Sequence, residues 1–62
     1  MYYANLQGDS LWIHESTTGA PHFVIPIWGN LNSHNTNGNT LTMCYSNGTV
    51  EVWDMQSRSR IR

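Results

Sequence analysis

Asn47-Gly48 lies between two runs that alternate apolar and polar residues, Leu41 to Ser46 and Thr49 to Asp54. Asn and Gly tolerate φ > 0 at both central positions of a type I′ turn, whose twist matches that of paired strands. A two-residue loop also sets the register. Tyr45 falls opposite Val50, Met43 opposite Val52 and Leu41 opposite Asp54. Leu41, Met43, Tyr45, Val50 and Val52 then share one face, and Thr42, Cys44, Glu51 and Trp53 the other. Turn chemistry and alternation are independent signals, and both predict a hairpin here.

A second hairpin is predicted at the start of the chain. Tyr2 to Leu6 and Ser10 to Glu15 flank Gly8-Asp9. With those two residues as the turn, Gln7 pairs with Ser10, Asn5 with Trp12, Tyr3 with His14 and Tyr2 with Glu15. Tyr2, Ala4, Leu6, Leu11 and Ile13 form one face; Tyr3, Asn5, Trp12 and His14 form the other. His22 to Ile27 reads as a further strand. Pro26 has no N–H to give a ladder, so this strand needs an edge or a bulge. Trp28 to Asn39 is rich in Asn and reads as a loop, or a short strand around Leu31 to Asn35, ending in an Asn37-Gly38 turn. No window shows sustained 3.6-residue apolar spacing, so no helix is expected. The expected fold is all-β: a five-stranded antiparallel sheet or small barrel over residues 1–57, with a basic tail at 58–62.

Sixty-two residues with a single cysteine, Cys44, cannot form an internal disulfide. A chain this short buries only about 60% of its unfolded surface and commonly needs a metal, a cross-link or a second subunit. The four acids, Asp9, Glu15, Glu51 and Asp54, all precede the three arginines Arg58, Arg60 and Arg62, and there is no lysine. A nucleic-acid binder that grips through its body needs a basic face, which this body lacks. No apolar run reaches the ~20 residues of a helical membrane span. Met1 to Gln7 has neither the basic start nor the apolar core of a signal peptide. The expectation is a soluble, cytoplasmic protein without membrane contact.

The two hairpins echo one another at a spacing of 39 residues, with Gly8-Asp9 falling on Asn47-Gly48. That spacing is close to the ~40–45-residue period of WD-type propeller blades. Asn39-Thr40-Leu41 followed by Ser46 to Trp53-Asp54 resembles the inner hairpin of such a blade. Ser10 to Pro21 resembles the same element in a preceding blade, with Glu15 in place of the Asp and His14 in place of the Trp. The chain departs from the family in lacking a Gly-His pair that opens a blade. About one and a half blades cannot close a ring, so the resemblance implies assembly from several copies or a larger chain. A barrel or curled sheet needs no such completion.

Catalytic and metal chemistry find little support. His14, His22, His34 and Cys44 match no compact zinc spacing. There is no nucleophile elbow, no phosphate-cradling glycine loop and no evident acid/base pair. No cofactor is expected, and the protein is read as a non-enzyme. The aromatic allotment is high, with Trp12, Trp28 and Trp53 beside Tyr2, Tyr3 and Tyr45. Tyr45 and Trp53 are expected in the core. Tyr3, Asn5, Trp12 and His14, all on one face, suit an interface. Trp28, Asn30, Asn32 and His34 in the Asn-rich segment are candidates for partner contact. The expected function is a small self-associating interaction or regulatory module, a homo-oligomer that also takes a protein partner. Alternatives are a carbohydrate-binding module using Trp and Asn, and a small-barrel nucleic-acid binder using Arg58, Arg60 and Arg62. The tail also reads as a frayed end, or as a strap across acidic residues of a neighbour.

Overall fold

The protein, described over residues 1–62 by a computed structural model, is built from seven strands and no helix. They are β1 (Tyr2–Gln7), β2 (Ser10–Glu15), β3 (Pro21–Pro26), β4 (Leu31–Asn37), β5 (Thr40–Tyr45), β6 (Val50–Asp54) and β7 (Ser59–Arg60). The all-β expectation holds, but a single five-stranded sheet or closed barrel does not. The strands form two antiparallel meanders, β1-β2-β3 and β4-β5-β6-β7. The difference lies mostly in the Asn-rich segment. Leu31–Asn37 is a strand paired with β5, longer than the short strand that was the alternative to a loop around Leu31 to Asn35 and bulged at Asn32, and its turn is Gly38-Asn39, one residue later than expected.

The first hairpin has the predicted register, residue for residue from Tyr2↔Glu15 to Gln7↔Ser10. Gly8 has φ +59° and Asp9 a negative φ, as in a type II′ turn. β3 is an edge strand, as Pro26 requires, and a register shift at Ile13/His14 marks a bulge.

The second hairpin differs from expectation by one residue. Met43 pairs with Glu51 and Leu41 with Trp53. The loop has three residues, not two. Gly48 N–H donates to Tyr45 O (3.0 Å), and Tyr45 N–H to Thr49 O (2.8 Å). Only Gly48 takes a positive φ (92°), as in a type I turn followed by a left-handed residue. Asn47 instead accepts the Thr49 N–H on its side-chain oxygen at 3.0 Å. A one-residue slip exchanges the faces of a strand. Glu51 and Trp53 therefore turn inward beside Leu41, Met43 and Tyr45, while Val50 is exposed. Gly48→Ala should cost about 1–2 kcal/mol, the penalty for a Cβ in left-handed backbone. Space around that Cβ is open, so urea titration should report backbone strain alone.

The structural repeat has a period of thirty residues rather than thirty-nine. Asn5, Gly8, Leu11 and Ser16 recur as Asn35, Gly38, Leu41 and Ser46. Hydrogen bonds recur at nearly the same spacing, their matching residues 28 to 30 positions apart. Ser16 donates both N–H and Oγ–H to Met1 O; Ser46 donates both to Asn30 O. Ile27 N–H donates to Asp9 O, and Met55 N–H to Asn39 O. Each half is thus the same three-stranded unit, and β7 is added to the second. Leu11 and Ile13 of β2 and their counterparts Leu41 and Met43 of β5 lie in one core with Ile25, Tyr45 and Met55. The two units therefore pack like face to like face, with β1 and β4 adjacent. The second half of the chain covers the first, which is the burial that a short chain otherwise seeks from another subunit.

Candidate functional site

The outer face of the first sheet carries the residues singled out from the sequence. Alternation along β1 and β2 points Tyr3, Asn5, Trp12 and His14 away from the core. The Tyr3 and His14 rings stack at 5.1 Å between centroids, and Trp12 and His14 at 6.4 Å. His14 Nδ1 donates to Gly19 O (3.2 Å), which fixes the ring in the middle of the row. Tyr3 is 43% exposed and Val24, opposite Trp12, 41%. Asn5 is exposed, while Trp12 and His14 are half-buried. The result is an ordered, partly apolar strip with polar ring edges.

The Asn-rich candidates do not join that strip or one another. Asn32 and His34 are exposed on β4, with Asn32 at a bulge. Asn30 is exposed, and its carbonyl is occupied by Ser46. Trp28 crosses to the second sheet, where its ring stacks on Tyr45 at 4.1 Å. A cleft of about 240 Å3 opens between the β1–β2 turn and the β3–β4 connection. Its lining includes Leu6, Asp9, Ile27 and Asn30, with Asp9 as the one acid. That set supplies no acid/base pair.

The group that sequence reasoning missed is centred on Glu51. This carboxylate is 95% buried, being 5% exposed. Trp28 Nε1–H donates to Oε2 at 2.6 Å, and Trp53 Nε1–H to Oε1 at 3.1 Å. The Arg60 guanidinium lies 3.8 Å away. Burial alone would raise the Glu51 pKa, but the two indole donors and Arg60 outweigh it and hold it below its ordinary value. Tyr45 beside it has no partner for its phenol, and burial together with the Glu51 charge raises its pKa. One local sign was available: Trp53 lies two residues from Glu51 and so shares its face. The Trp28 donor, 23 residues upstream, leaves no local trace.

The arginines separate. Arg60 belongs to β7, opposite Trp53, and reaches Glu51 of its own chain. Arg58 and Arg62 are exposed, and Arg58 takes φ 62°. His14 and His22 do not meet. His22 stacks on Tyr2 at 4.6 Å and donates Nε2–H to Met55 O at 2.9 Å, on the core side. Cys44 is half-buried. No protein-family model, curated protein or solved structure matches the chain, so the geometry stands alone as the basis for a functional reading.

Proposed function

We propose that the protein is a small, non-catalytic, self-associating interaction module whose contact surface is the outer face of the first sheet. The observation that carries this reading is the Tyr3–His14–Trp12 row, ordered by stacking, with Tyr3 exposed and Trp12 and His14 only half-covered by their own chain. Aromatics that pack flat and keep a polar edge are enriched at interfaces. A face contact is favoured over strand addition. β3 is bounded by Pro21 and Pro26, β7 is two residues long, and β1 and β4 lie against each other. The partner we assign is a second copy, because the fold already covers one face of this sheet with a sheet of its own kind. The four-stranded meander β4–β7 also suits the blade-like reading, in which further sheets cover the outer faces.

Trp12→Arg tests the surface. The variant should remain monomeric in sedimentation velocity at concentrations where the wild type associates. Its stability should fall by only about 0.5–1.5 kcal/mol, the worth of the lost stack on His14, so the variant stays folded while association is read. Association unchanged by Trp12→Arg would remove this face from the account.

A further inference from the structure

The two units are held together differently from the way each is held within itself. No backbone hydrogen bond joins residues 1–27 to residues 31–62. Between those segments the contact is made by side chains in the shared core and the tilted Phe23–Trp53 pair, together with the bond from His22 Nε2–H to the Met55 carbonyl. The connection is also divided. Ile27 is tied to the first unit through Asp9 O. Trp28 is tied to the second through Glu51 and Tyr45, and Asn30 through Ser46. The freedom to open lies between Ile27 and Trp28, and every anchor on either side survives opening.

We propose that two copies of this chain exchange units, the first sheet of each closing on the second sheet of the other. This rests on the self-association reading above but uses the inner faces, not the Tyr3–His14–Trp12 row. Both interfaces of such a dimer repeat the closed contact seen within one chain, so only the Ile27–Trp28 connection changes course. The closed form competes through an effective concentration of about millimolar for a short linker. Anything that prevents the connection from folding back should therefore favour exchange.

Two tests on full-length chains separate the outcomes. A wild-type dimer collected at millimolar concentration should persist after dilution at least about tenfold longer than a surface contact would, because both shared cores must open before either chain can close on itself, and a dimer that returns to monomer within the dead time would overturn the exchange. The second test mixes two chains, each with one damaged unit: Ile13→Asp and Met43→Asp. Each alone should lack a cooperative thermal transition. Refolded together they should regain one, since exchange pairs the intact first unit of one with the intact second unit of the other. Failure of the mixture to regain structure would overturn the exchange. A wild-type dimer that the Trp12→Arg change dissolves, with no rescue on mixing, would also overturn it while leaving the outer-face reading intact.

Discussion

Leu11→Ala and Leu41→Ala should each destabilise the protein by about 3–5 kcal/mol, the range for deleting a fully buried leucine side chain. Both residues are wholly buried at matching places in the two units, and both face one core. A domain of this size holds only about 3–9 kcal/mol in total. Either change should therefore consume much of that margin and populate the unfolded chain without denaturant. Because the core is shared, the loss should spread to both sheets. Hydrogen exchange should show β2 and β5 amides losing protection together in either variant. Loss confined to the mutated sheet would mean that the units fold separately, and the packing of like face on like face would no longer explain stability.

Glu51→Gln should cost about 2–4 kcal/mol, more than a surface carboxylate-to-amide change. The amide retains one acceptor oxygen, but its NH2 would face one of two indole donors. An unpartnered donor costs about 1–3 kcal/mol, and the Arg60 attraction is lost as well. The pH dependence follows from the same contacts. The folded-state pKa of Glu51 lies below the ordinary 4.5. Its stabilising contribution is thus present above that value and is lost as pH falls through the lower folded-state pKa. Urea midpoints between pH 7 and pH 3 should fall for the wild type across this window. The Gln variant should show a shallower fall, and equal slopes would show that Glu51 is not the titrating group.

Much of the architecture was legible in the chain because local rules agreed there. Gly8-Asp9, the alternation around it and the constraint at Pro26 are all short-range signals. They placed β1, β2 and β3 and the outward row of Tyr3, Trp12 and His14. Where local signals competed with distant partners, the distant partners decided. Asn47-Gly48 suits a two-residue turn, which would have buried Val50. The observed three-residue loop buries Glu51 instead, and Trp28 makes that tolerable by donating from another part of the chain. β4 was obscured by its composition: asparagines are poor strand formers alone, yet Asn35 and Asn37 pair with Thr42 and Thr40 of β5, and Asn32 is accommodated at a bulge. The thirty-residue repeat was hidden because few side chains are identical, while turn positions and serine-to-carbonyl bonds recur. Arg60 looked like part of a charged end until its pairing with Trp53 made it an edge strand.

Sedimentation equilibrium of the unmodified protein, from micromolar to millimolar concentration, is the most direct test of self-association. The average mass should climb above 7.1 kDa as concentration rises. A mass fixed at that of one chain across the whole range would contradict it.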